Sequence, residues 1–253
     1  MKHIVFSILL LLIGNFSIAD DNNAEMLLEE AKEAYINEEY AYAAELYEEI
    51  LEMGMESPFL FYNLGNAYYK TNRIGLAILN YERAAKLSPN NEKIQHNLRV
   101  ANNRIVDKVE PVPVLFYKKW WNDIVNLQNM DNWTKTAIIS LFLFLISAAI
   151  YLFAKTLRIK KAGFYSAIFL LFFSIFSLVC ARSYYNTHLS GNQAIVMSVR
   201  TTAKSSPTAT APDVFVIHEG TKVSIINELG QWYEIRLANG NVGWIDAAAV
   251  DVI

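Results

Sequence analysis

Side chains able to make or break covalent bonds, or to hold a metal, are few and scattered in this chain. Cys180 is its single thiol, so it can form neither an internal disulfide nor a Cys-based zinc site. The four histidines, His3, His96, His188 and His218, are far apart in sequence. No glycine-rich phosphate loop, zinc-ligand helix or nucleophile elbow occurs. Carboxylates crowd only into residues 20–57, where 13 acids meet one base and no apolar setting exists to shift a pKa. The expectation is a non-enzyme with no catalytic, cofactor-binding or metal-binding residues. The one redox alternative rests on Cys180, which near the end of an apolar run reads first as a packing or lipid-facing residue.

What positions side chains in this chain is set by where its apolar residues lie. Of 253 residues 53% are hydrophobic and 19% charged, with a mean hydropathy of +0.18, high for a soluble protein. The formal charge of −3 leaves no basic excess for nucleic acid. Three segments hold the apolar excess. In residues 1–19, Lys2 and His3 precede an apolar run from Ile4 to Ile13, and Ser17-Ile18-Ala19 supplies a small-x-small site, the pattern of a cleaved secretory signal peptide. Residues 134–154 and 162–182 each contain a nearly uncharged apolar run long enough to cross the ~30 Å hydrocarbon core. Neither shows a polar stripe that would let it face water. Between them, 155–161 carries Lys155, Arg158, Lys160 and Lys161 and no acid, which by the positive-inside rule makes it a cytoplasmic loop. Both flanking regions are then expected on the far side of the membrane, with Trp120, Trp121, Trp133, Tyr184 and Tyr185 as interfacial anchors.

Residues 24–110 repeat at a fixed offset of about 34 residues. Tyr35/Tyr69, Ala43/Ala77, Tyr47/Tyr81, Asn63/Asn97 and Leu64/Leu98 keep it, and it is the period of tetratricopeptide repeats. Phe61, Leu64-Gly65, Tyr68, Ala77, Tyr81, Ala84 and Pro89 occupy the packing positions of the second copy. Small Gly65 and Ala77 let paired helices approach, Tyr81 fills the gap beside them, and Pro89 ends the second helix. The region resembles a tetratricopeptide domain with repeats at 24–57 and 58–91 and a capping helix at 92–109. The resemblance implies a peptide groove lined by Lys32, Tyr35, Tyr62, Asn66, Tyr69, Lys70, His96 and Arg104, suited to an extended acidic or C-terminal peptide. Charge is uneven: −12 over 20–57, and +4 over 58–110, where 8 bases meet 4 acids. That is read either as solvated faces or as two partner-facing patches of opposite sign. Residues 111–133 form a linker whose Leu115, Phe116, Trp120, Trp121, Ile124 and Val125, alternating with Lys118, Lys119 and Asp123, read as an interfacial helix or as a docking surface for the repeats.

From about residue 190 short β-branched runs replace the helical pattern: Ala194–Val199, Lys222–Ile226, Trp232–Leu237 and Asn241–Ile245, divided by Glu219-Gly220, Leu229-Gly230 and Asn239-Gly240. Residues 190–253 resemble bacterial SH3 domains, through the order Glu219-Gly220-Thr221-Lys222-Val223, Gly230-Gln231-Trp232-Tyr233 and Gly243-Trp244. Such domains bind peptides or cell-wall material, which makes Tyr233 and Trp244 the candidate ligand surface. Ser205–Asp213, polar and patternless, reads as a long mobile loop.

The fold class expected is a multidomain membrane protein: an all-α tetratricopeptide repeat domain, a two-helix transmembrane hairpin, and an all-β bacterial SH3-like barrel. This order of segments is similar to the Bat aerotolerance (BatE-like) family of tetratricopeptide/SH3 membrane proteins. That resemblance implies an inner-membrane protein with both domains periplasmic, and partnership with von Willebrand factor A-type membrane proteins and a MoxR-type ATPase system. The leading reading is a scaffold with two protein-binding modules, the alternatives a peptidoglycan tether through the SH3 module and the Cys180 redox protein.

Overall fold

The computed structural model describes residues 18–109, 115–189 and 192–253, so the expected signal segment lies outside the described residues except for its last two positions. The chain divides into two compact units. Of the described residues, one unit combines those up to 109 with those from 192 onward, and the other is 115–189.

In the first unit, five helices carry the repeats: α1 (Ile18–Ile36), α2 (Tyr40–Glu52), α3 (Pro58–Lys70), α4 (Ile74–Leu87) and α5 (Glu92–Asn102). Local chemistry sets several of their ends. Ser57 caps α3 by accepting the Leu60 N–H at 3.1 Å, with Pro58 at the first helical position, where its missing N–H costs nothing. Asn91 caps α5 in the same way, accepting from Lys93 N–H at 3.1 Å. Glu38 and Asn72, a repeat apart, both turn the chain with left-handed backbone, φ 65° and 64°. Ala31, Ala43 and Ala77 are fully enclosed, and Tyr47, Tyr68 and Tyr81 are the largest buried side chains beside them. At Gly65 a Cβ would sit 2.7 Å from the Tyr81 ring, so the close approach of α3 and α4 requires glycine there. The Tyr68 hydroxyl donates to the Glu48 carboxylate, tying the second repeat to the first.

The C-terminal residues form an antiparallel seven-stranded sheet in the order β3-β2-β6-β5-β4-β1-β7. The strands are β1 (Gln193–Val196), β2 (Arg200–Lys204), β3 (Asp213–His218), β4 (Lys222–Leu229), β5 (Trp232–Arg236), β6 (Val242–Asp246) and β7 (Val250–Val252). Ala194, Val196, Ala203, Ile217, Val223, Ile235, Ile245 and Val250 make its core. Gly243 closes the sheet tightly, since a Cβ there would lie 2.9 Å from Ala203 Cβ and 3.2 Å from the Phe215 ring. Strands β2, β3 and β7 were not among the four runs expected. Arg-Thr-Thr-Ala-Lys is too polar, and Val-Asp-Val too short, to stand out, and Asp-Val-Phe-Val-Ile-His directly follows the patternless segment. That segment is a loop, as expected, and it is closed by local bonds: Ser205 N–H donates to Pro212 O at 3.0 Å, Ala211 N–H to Thr208 O at 3.2 Å, and Lys204 pairs with Asp213 at 2.5 Å.

The repeats and the barrel share one body. β1 is buried on both faces: Ala194 and Val196 enter the barrel core, while Ile195, between them, enters the repeat core with Met197 and Ile253 beside it. Burying Ile195 contributes about 1.5–3 kcal/mol. Polar contacts surround this wedge. Asp107, just after α5, accepts the His218 backbone N–H at 2.6 Å and the Thr221 hydroxyl at 2.8 Å through one oxygen, and its other oxygen lies 2.9 Å from His218 Nδ1. Helix α4 has no side-chain cap of its own at Arg73. Instead the barrel's Glu219 accepts the Gly75 N–H at 3.0 Å, placing a carboxylate at the positive end of the helix. Lys222 pairs with Glu82 at 2.7 Å, and Arg83 and Lys86 donate to the carbonyls of Val252 and Ile253 at 2.9 and 2.7 Å. Gly220, at φ +86°, turns so close to Ile105 and Ile78 that a Cβ would lie 2.5 Å from the former.

The second unit holds α6 (Phe116–Val125), α7 (Met130–Phe153) and α8 (Leu157–Tyr184), followed by a π-helical turn at Tyr185–Leu189. α7 and the helix from Leu157 onward are long and apolar enough to cross a membrane. They meet along small residues: Ala137, Ser140 and Ser147 of α7, and Gly163, Ala167, Ser174, Ser177, Cys180 and Ala181 of α8 are buried, while phenylalanines and leucines such as Phe142 and Phe172 face outward. Ser174 donates its hydroxyl to Ala137 O at 2.9 Å across the pair. The turn between the helices is only 154–156, so Arg158, Lys160 and Lys161 of the basic segment ride on the first turns of α8. At the other end, Trp133 Nε1–H donates to Val125 O at 2.9 Å and Trp121 Nε1–H to Ser183 Oγ at 3.0 Å, holding α6 against the hairpin.

Candidate functional site

Helices α1, α3 and α5, with Arg104 just beyond the end of α5, carry the residues expected to line a groove. Tyr35, Asn66, Tyr69 and Lys70 come together around one cleft of about 200 Å³, completed by Tyr81, Asn97 and Val100. Tyr62 and His96 line a broader neighbouring cleft of about 670 Å³ with Asn90, Lys93 and Arg99, and Asn97 borders both. Lys32 and Arg104 line neither. Lys32 is engaged by Glu29 at 2.6 Å and sits over the Phe59 ring, while Arg104 donates to Asn72 Oδ1 at 2.6 Å and lies over the Tyr69 ring, its guanidinium carbon 5.2 Å from the centroid.

The floor of the first cleft is a hydrogen-bonded network. Asn66 Oδ1 accepts from the Tyr81 hydroxyl and from Asn97 Nδ2, both at 2.8 Å, and the same Asn97 nitrogen donates to the Tyr62 hydroxyl at 3.1 Å. These bonds hold the two amides in fixed orientations beneath an aromatic rim. On that rim Tyr35 meets Tyr40 edge-on at 5.0 Å, and Lys70 Nζ lies 5.4 Å from the Tyr40 centroid. Burial, reinforced by Tyr40 and Tyr62, pushes the Tyr35 phenol up, and burial drives the Tyr81 phenol up further, so both stay protonated donors at neutral pH. Cation, amides and phenols around an apolar bed form a surface for an extended chain bearing carbonyls and negative charge. Of the lining residues that the sequence reading did not assign to the groove, among them Tyr81 and Val100, Asn97 is the one that borders both clefts. Its match to Asn63 marks it as part of the repeat, but only the folded helices show that it faces the same cleft as Asn66.

On the barrel, alternation separates the two candidates. Tyr233 points inward and packs against the core with Ile235. Trp244, opposite Glu234 and flanked by Lys204, lies on the outer face together with Trp232, its diagonal neighbour across β5 and β6. Cys180 is completely enclosed in a cluster with Val125, Trp133, Ala181 and Tyr184.

The barrel packs on α4 and the chain after α5, through Gly75, Ile78, Glu82, Arg83, Lys86 and Asp107, whereas the cleft is lined chiefly from α1, α3 and α5. Docking of the two modules therefore leaves the groove open.

Residues 58–91 match the family model for the tetratricopeptide repeat, and residues 197–251 match that for the bacterial SH3 domain. Comparison with curated proteins finds no match to the chain. Both matched modules are typically binding modules without catalytic activity.

Proposed function

We propose that this protein is a non-enzymatic scaffold of the inner membrane whose repeat groove captures an extended, acidic segment of a partner protein. The observation that carries the reading is the open cleft of Tyr35, Asn66, Tyr69, Lys70 and Asn97 beside the docked barrel. Two spanning helices return the chain to the side it left, and this agrees with repeats and barrel folding as one body on a single side of the membrane, taken here as the periplasm. The order of modules favours a Bat-type aerotolerance or envelope-stress complex, with von Willebrand factor A-type membrane proteins and a MoxR-type ATPase system as the partners sought.

The test is co-purification of the full chain in mild detergent, wild type against Lys70→Ala and Tyr69→Ala, two rim variants that spare the Asn66–Tyr81 bond. Loss of a specific partner from both variants supports the groove. Identical partner sets, or a wild type that purifies alone, refute it. The outer-face pair Trp232 and Trp244 favours a second reading, in which the barrel stacks on cell-wall glycans and tethers the complex. Failure of the protein to co-sediment with peptidoglycan, or equal sedimentation of Trp244→Ala, removes that reading.

A further inference from the structure

The outer flank of α8 carries a feature that neither the repeats nor the barrel explains. Ile175, Leu178 and Val179 stand on one stripe at helical spacing, each about half exposed, and Arg182 follows one turn above them. Trp121 of α6 walls this stripe on one side. Its indole donates to Ser183 Oγ at 3.0 Å and meets the Phe176 ring edge-on at 6.2 Å, so the wall is fixed to the helix it overlooks. Together they enclose an open cleft of about 490 Å³ whose lower part is aliphatic and whose upper end is cationic.

Arg182 has no carboxylate within ion-pairing distance among the described residues, and its guanidinium carbon lies over the Tyr185 ring, 5.6 Å from the centroid. A cation in that position is left to bind an anion from outside the chain. Lys118 and Lys119, exposed on the helix that bears Trp121, add positive charge nearby, with Asp123 the one acid on that helix. An aliphatic trough that ends in a guanidinium, at the end of a membrane-length helix, has the polarity of a phospholipid: acyl chain below, phosphate above.

We infer that this notch is a binding site for one anionic phospholipid, its phosphate on Arg182 and an acyl chain along Ile175, Leu178 and Val179 against Trp121. The inference rests on α7 and α8 lying in a bilayer, not on the identity of any protein partner. Fixing Trp121 to Ser183 preorganises the wall, so lipid binding does not have to order it. The notch then ties α6 to the lipid composition of the membrane.

Native mass spectrometry of the full chain in detergent, titrated with phosphatidylglycerol or phosphatidylcholine, tests this directly. One retained phosphatidylglycerol per chain is expected, with Arg182→Ala weakening its binding about fivefold, the effect of one basic side chain near a lipid surface. Arg182→Lys should restore part of the preference, and Arg158→Ala, at the opposite end of α8, should leave it unchanged. Circular dichroism checks that each variant remains helical. Equal retention of the two lipids, an unchanged preference in Arg182→Ala, or an equal loss in Arg158→Ala overturns the site. So does displacement of the lipid by millimolar inorganic phosphate, which would mark a free-anion site. Recovery of the chain in the membrane fraction is read separately, so failure of the notch is distinguishable from failure of the spans.

Discussion

Asp107 is the point at which loss of a few atoms should separate the repeats from the barrel. Asp107→Ala removes acceptors for the His218 N–H and the Thr221 hydroxyl and the partner of the His218 ring, in a site where the aspartate side chain is only 16% exposed. Hydrogen bonds to a charged acceptor contribute about 1.5–3 kcal/mol each, and the orphaned donors lose their solvation as well. His218 is 31% exposed and can recover water, so the net cost is placed at about 2–4 kcal/mol. That cost should fall on the joint rather than on either core. Hydrogen–deuterium exchange of the full chain in detergent should show amides of β1, β7 and the first turn of α4 exchanging tens of times faster or more, while α2 and β5 change little. Asp107→Asn, which keeps one acceptor, should lie between. The aspartate also gives the joint a pH dependence. Burial alone would raise its carboxyl, but the bonds from the His218 ring, the His218 N–H and Thr221 together hold it below the usual carboxylate range. The folded value therefore lies below the unfolded one of about 3.9, so this stabilisation is complete above pH ~5 and is lost as pH falls through the folded value. Asp107→Ala should accordingly lose less stability than wild type between pH 5 and 3. A loss under about 0.5 kcal/mol, with unchanged exchange at β1, would refute the assignment of Asp107 as the link.

Two further substitutions probe the helices. Glu38→Gly should stabilise the repeat region by about 1 kcal/mol, because Glu38 occupies a left-handed turn at φ 65°, and chemical denaturation would show it as a higher midpoint. Gly163→Leu should splay the hairpin, since even a Cβ would lie 2.9 Å from Tyr151 N and 3.0 Å from Ser147 O; a cysteine cross-link engineered between α7 and α8 farther along the pair would then form more slowly.

Legibility followed the range of the physical signal. The offset joining Tyr47 to Tyr81 and Asn63 to Asn97 is visible because each helix must bury the same face, and the two apolar runs are visible because a bilayer demands length without charge. Strands β2 and β3 were hidden because Thr201 and Thr202 carry little hydrophobic contrast and the polar turn before β3 masks its start. Tyr233 and Trp244 are neighbours in the motif order, yet alternation sends one into the core and leaves the other outside. Choosing between them requires the register Tyr233↔Ile245 and Glu234↔Trp244. For the groove, the repeat resemblance nominated Tyr35, Asn66, Tyr69 and Lys70, whereas Asn97 emerged only when α5 was placed against α3.

The amino-acid sequence alone determined the modules and their order, because period, apolar length and turn residues are local properties that each segment carries wherever it lies. Tertiary structure decided that repeats and barrel are one body. That union depends on contacts between residues more than a hundred positions apart: Asp107 with His218 and Thr221, Gly75 with Glu219, and Ile195 in a core not its own. The doubly apolar run Ala194-Ile195-Val196 announces a strand covered on both faces, but not what covers the second. Burial has no direction until the chain has folded, so the partner of that face is a property of the whole and not of the segment.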